Sequence, residues 1–169
     1  MAVTVVAWIV ESTWPACVDA TKEYAPSDAD IVLLHVTDPE VPGAAHGAYA
    51  GLLGRARPDR DPGTAVEGLA ATSADQLLTI AAERLDRPCA REDRIGRVER
   101  EVVDAAEGAE LLVLARDGDH THLGPHSLGR HSRFIVDHAP CPVLLVWPDL
   151  APSTATMPPP PPRPPPHHG

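Results

Sequence analysis

Residues 115–148 read ARDGDHTHLGPHSLGRHSRFIVDHAPCPVLLVWP, from Ala115 to Pro148. The aliphatic run ending at Ala115 predicts a strand, and the loop after it holds Gly118, Gly124 and Pro125. A short helix is expected over residues 128–138, then a second aliphatic strand over residues 143–147, from Val143 to Trp147. A strand, a glycine-bearing loop and a helix opening on Gly129 form the arrangement that turns free backbone N–H groups toward an anion.

Working outward, residues 2–10 (AVTVVAWIV) form a continuous β-branched run, the pattern of a strand covered on both faces. Glu11, Ser12 and Thr13 supply capping chemistry, and Pro15 belongs in a first helical turn, where a missing N–H costs nothing. That helix should run to Tyr24 and stop before Pro26, with Ala16, Cys17, Ala20 and Tyr24 facing inward. Residues 30–36 (DIVLLHV) predict a second buried strand. Residues 37–64 lack any sustained period and are expected to be a long loop, mobile or lying over a site. A helix is expected over residues 65–85, with Leu69, Leu77, Ile80, Ala81 and Leu85 inward. Residues 87–97 (RPCAREDRIGR) sit where a βαβ series needs a strand, yet are mostly charged; an edge strand tolerates that, because charge there discourages sheet-to-sheet pairing. An amphipathic helix over residues 97–107, inner face at Val98 and Val102, should end at Gly108. The series predicts an α/β fold, a parallel sheet with helices on both faces, over residues 1–149. Residues 150–169 are a separate proline-rich tail, expected to be a disordered, solvated extension, extended at most as polyproline II.

The totals narrow the function. Net charge is −10 with histidine neutral, so no nucleic-acid or membrane partner is expected without a gathered basic face, and none is evident. Cys17, Cys89 and Cys141 are odd in number and far apart, which reads as reduced thiols; with no basic leader and no long apolar run, a cytoplasmic protein is expected. The chain has no G-x-G-x-x-G, no Gly-Lys pair and no G-x-S-x-G, so the dinucleotide fingerprint, the P-loop and the nucleophile elbow are all missing. Ligands in such sheets bind beyond the carboxyl ends of the strands, which gathers residues 10–13, 36–38 and 115–132 around one crevice.

Glu110 through Gly118 to Gly129, followed by DHAPCPVLLV (residues 137–146), resembles the C-terminal half of the universal stress protein family. Strand one with its capped helix, and DIVLLHV as strand two, fit the N-terminal half. The resemblance covers residues 2–148. It implies a single Rossmann-like domain of the adenine-nucleotide α-hydrolase type, with a five-stranded sheet ordered 3-2-1-4-5. It also implies a homodimer paired through residues 143–147, a role in stress response or signalling, and ATP or a related adenine nucleotide as ligand, with magnesium only as the nucleotide's companion. ATP-binding members carry G-x-x-G, nine residues, then Gly-Ser or Gly-Thr. Here Ala115 holds the first glycine position, Gly118 the second, and Gly129 follows after ten residues with Arg130 in the hydroxyl position. Those members close strand one with Asp; here Val10 stands there, followed by Glu11.

The candidate nucleotide-holding set is therefore Val10, Glu11, Ser12, Val36, Ala115, Arg116, Gly118, Gly129, Arg130, His131 and Ser132. Two consequences of the departures stay open. Arg130 at a helix N-terminus could grip phosphate bidentately. Alternatively it fills the space of a triphosphate while Glu11, Asp117 and Asp119 repel one, leaving a nucleotide-free member that works through protein contacts. A third class, a metal enzyme using His120, His122 and His126 with Asp117 or Asp119, has the weaker pattern, since exposed loop histidines need no metal. No nucleophile–base pair or paired carboxylates mark an enzyme, so at most very slow ATP hydrolysis is expected.

Overall fold

A strand hydrogen-bonded to parallel neighbours on both sides must cover both faces, and β1 (Thr4–Trp8) obeys this in strict alternation. Val5, Ala7 and Ile9 enter one core, while Val6 and Trp8 enter the other. The computed structural model describes residues 2–40 and 62–166, and the side chains of residues 62–72 are left aside. Most of the expected 37–64 loop therefore lies outside the described residues.

Around β1 lie α1 (Trp14–Tyr24), β2 (Asp30–Thr37), α2 (Pro62–Leu85), β3 (Cys89–Ile95), α3 (Val98–Ala105), β4 (Leu111–Ala115), α4 (Arg130–His138) and β5 (Val143–Val146). The sheet order is β3-β2-β1-β4-β5 with every pair parallel, as the family resemblance implied. On one face α1 and α2 bury Cys17, Val18, Leu77, Leu78, Ala81 and Leu85 against Ile31, Leu33 and Val113. On the other, α3 and α4 bury Val102, Ala106 and Ile135 against Leu34, Leu112 and Leu114. No helix among the described residues is long and apolar enough to cross a membrane.

The charged segment is an edge strand: β3 pairs along seven residues with β2 and alternates half-buried with exposed positions. Helix starts are where sequence reading slipped. Thr13 is the N-cap of α1 but makes no side-chain capping bond; Pro15 does fall in the first turn. Helix α2 begins at Pro62, three residues before the expected start, because proline is at home in a first turn. Helix α4 begins at Arg130, preceded by a 3₁₀ turn at Pro125–Ser127. Tyr24 and Ile80, expected inside, are 59% and 43% exposed, while Val18 and Leu78 of the same helices are buried. Gly108 ends the segment after α3 with φ +77°, a conformation that favours glycine.

Cys17 stitches α1 to the sheet. Its S–H points between the carbonyls of Trp8 (3.3 Å) and Val113 (3.5 Å), and burial pushes the thiol up to about 12, so it packs and does not react. Ile135 does the equivalent for α4, where it is the one fully buried apolar side chain and its neighbour Phe134 is 36% exposed. Ile135→Ala should therefore cost about 2–5 kcal/mol in urea unfolding. Phe134→Ala should cost far less than Ile135→Ala; equal losses would mean that α4 is not anchored through Ile135.

Candidate functional site

Because α1 and α4 leave β1 and β4 toward opposite faces, a crevice opens where the winding direction reverses. Its rim is set by turns. The carbonyl of Val10 accepts from the N–H groups of Thr13 and Trp14, folding the chain from β1 into α1. On the β4 side the Arg116 N–H donates to the Val146 carbonyl, keeping the strand paired with β5 one residue past its end. Between them lies a cleft of about 270 Å³, lined by Trp8, Ile9, Val10, Glu11, His35, Val36, Val98, Asp117 and His131. Its lining is aliphatic and aromatic, with four ionisable groups among it.

The expected site residues divide. Val10, Glu11, Val36 and His131 line the cleft. Ala115 is buried at the end of β4, and Ser12 is exposed in the turn before α1. Arg116 faces β5: it donates to the Ser127 hydroxyl and lies 4.5 Å over the Trp147 ring. Arg130 is exposed on the outer surface of α4 with Arg133, Phe134 and Asp137, and it does not line the cleft. Ser132 is fully buried and its Oγ has no partner among the described residues.

The two glycines have local tasks. The N–H groups of Gly118 and Asp119 donate to the carbonyls of Ser127 and His126 at 2.9 and 2.8 Å, closing the loop on itself. A Cβ on Gly118 would lie 2.2 Å from the His126 carbonyl oxygen, so no side chain fits there. Gly129, the N-cap of α4, offers no side-chain acceptor, and its N–H donates at 2.7 Å to the carboxylate of Asp117. The N–H groups of Gly118, Asp119 and Gly129 are thus met from within the chain, and the helix start already holds an anion of the protein's own.

The cleft is acidic. Glu11 and Asp117 line it, and among the described residues no Arg or Lys does. Its histidines are engaged: His131 Nδ1 is 2.9 Å from Glu99, and His35 Nδ1 is 2.9 Å from Asp93. Glu99 also pairs with Arg97; its own backbone N–H at the start of α3, helped by His131 and Arg97, holds its carboxyl below the ordinary value against the opposing effect of burial. The loop histidines separate: His120 meets the Arg116 carbonyl and the edge of Trp147, whereas His122 meets Thr121 and Asp119. Among the described residues no three His, Cys, Asp or Glu side chains gather as a metal site would need.

Sequence reading missed Trp8, Ile9 and Val98 as lining, treated His35 as core, and named Asp117 at the crevice only as an acid that would repel a triphosphate. The usable signal was Asp117 itself: an acid two residues beyond a strand end, with a helix start ahead that has no capping side chain.

Compared with known proteins, the model of the universal stress protein family matches residues 10–146. Among solved structures, the hypothetical protein MJ0577 is similar at TM-score 0.64 and 16% identity, over 87% of this chain and 96% of that one. A universal stress protein in complex with cAMP is similar at TM-score 0.57 and 17% identity, over 88% and 98%. A universal stress protein family protein from Arabidopsis thaliana with AMP bound is similar at TM-score 0.54 and 21% identity, over 86% and 91%. No curated protein sequence matches the chain.

Gly118→Ala should lower stability by about 1–3 kcal/mol, since the methyl group must push the His126 carbonyl aside. Hydrogen exchange at the Asp119 amide should accelerate in parallel. An unchanged unfolding midpoint would mean that the loop is not closed as described.

Proposed function

The chain belongs to the universal stress protein family, and we propose that it is a homodimeric module of stress response or signalling whose crevice holds an adenine compound, of the class of ATP and its relatives. The cleft carries this reading. It sits at the winding switch of the sheet, where α/β folds take ligands, and it offers an apolar bed of Ile9, Val10, Val36 and Val98 for a flat base. The AMP and cAMP held by two structures of the same fold support that ligand class. No nucleophile stands beside a base in the cleft, so the module is read as a sensor that binds without turnover, or with very slow hydrolysis.

The homodimer reading rests on β5. It forms one edge of the sheet, and all four of its residues are half-buried, which leaves an aliphatic ladder with an unpaired backbone on one side. Pairing with a second copy satisfies both.

One observation favours a second reading, a member that works through protein contacts without nucleotide. The N–H of Gly129 is already taken by Asp117, so a phosphate at the helix start would face that carboxylate unless it moves.

Calorimetry of the full chain with ATP, AMP and adenosine decides between them, with acid extraction of freshly purified protein to detect any adenine compound carried along. Binding of at least one compound is expected; no binding of any of the three leaves only the contact-based reading. For the dimer, Leu145→Asp should give monomer or misfolded protein in light scattering. A folded Leu145→Asp dimer rejects pairing through β5.

A further inference from the structure

We infer that the crevice accepts the unphosphorylated nucleoside and refuses its phosphate esters, with Asp117 as the residue that sets this choice. The inference rests on the reading of the cleft as an adenine site and names the form of ligand it takes.

Two features of the site converge. The first is occupancy: at the N-terminus of α4, where a phosphate would collect backbone N–H groups, the Asp117 carboxylate sits 2.7 Å from the Gly129 N–H. The space between them is tight, since a Cβ on Gly129 would lie 2.9 Å from both Asp117 oxygens. The second is charge. Glu11 and Asp117 line the cleft, and both arginines nearest in sequence to the loop turn elsewhere, Arg116 to Ser127 and Trp147, Arg130 to the outer surface of α4. The two lining histidines are each held by a carboxylate outside the cleft lining, Glu99 for His131 and Asp93 for His35. Among the described residues, a phosphate entering this site would meet two carboxylates and no guanidinium or ammonium group.

The same acids that repel phosphate suit a nucleoside. Ribose hydroxyls are donors, and a carboxylate is an acceptor with two oxygens, so an acidic rim can hold the sugar while the aliphatic bed holds the base.

Calorimetry with adenosine, AMP and ATP, on the full chain and on Asp117→Ala, tests this. The natural chain should bind adenosine at least ten-fold more tightly than AMP or ATP. In Asp117→Ala the AMP affinity should rise at least ten-fold relative to adenosine, because the Gly129 N–H is freed and one carboxylate is gone. Should Asp117→Ala fail to fold, Asp117→Asn keeps an acceptor for the Gly129 N–H and removes the charge; AMP should then gain at least three-fold relative to adenosine. AMP or ATP binding as tightly as adenosine in the natural chain overturns the inference while leaving the adenine site standing. A natural preference for adenosine that Asp117→Ala, or Asp117→Asn in its place, leaves untouched removes Asp117 from its role. No binding of any of the three compounds sinks the adenine reading itself, and this inference with it.

Discussion

β1 lies between two parallel neighbours, and that single constraint organises the molecule. A strand paired on both edges has no way to satisfy its faces except by packing, so α1 must cover one side and α4 the other. Two helices leaving adjacent strands in opposite directions cannot touch at their starts, and the gap between them is the crevice. Everything at the site inherits its position from that divergence. Val10 and Glu11 are there because the chain turns from β1 into α1 over the Val10 carbonyl, and Asp117 is there because β4 must reach α4 across the gap. The anchors that hold the divergence are small in number: Cys17 under α1, Ile135 under α4.

The contact between Asp117 and Gly129 then decides what the gap can hold. A capping carboxylate at a helix start is worth about 1 kcal/mol, so a ligand phosphate with its own charged hydrogen bonds, about 1.5–3 kcal/mol each, could displace it in isolation. Displacement does not remove the charge, however. A carboxylate held about 4 Å from a phosphate costs about 4 kcal/mol at the effective dielectric of a protein surface. With Glu11 also lining the cleft and no Arg or Lys among the described residues there to offset either acid, the balance turns against phosphate. Only full withdrawal of Asp117 into solvent would reverse it.

Much of the fold could be read from residue order, and the reason is physical. Parallel strands buried on both faces must be aliphatic throughout, so DIVLLHV and PVLLVW announced themselves, and the strand order followed from a family resemblance carried by residues 110–146. Even the charged β3 was legible, since an edge strand has one partner and less to bury. Side-chain direction was not legible to the same degree. Around the helix axis Leu78 lies about 160° from Ile80 and Val18 about 120° from Tyr24, and only packing settles which is buried. The site was legible by location and not by partner. Val10, Glu11, Val36 and His131 line the cleft, yet nothing in the order of residues says that Arg116 stacks on Trp147 or that Arg130 faces outward.

Gly118 and Gly129 bear most directly on how glycine spacing should be weighed. A glycine in a strand–loop–helix segment is commonly taken as room made for a ligand's phosphate. In this chain each has a sufficient reason inside the protein. Gly118 lies against the His126 carbonyl, where any Cβ would collide, and Gly129 lies against the Asp117 carboxylate. The loop bonds of Gly118 and Asp119 to Ser127 and His126 need that close approach whether or not anything is bound. The glycine spacing therefore reports a loop that folds tightly on itself, which a phosphate-binding chain and a phosphate-refusing one would both require. What separates the two is the side chain pointed at the helix start, and here it is a carboxylate.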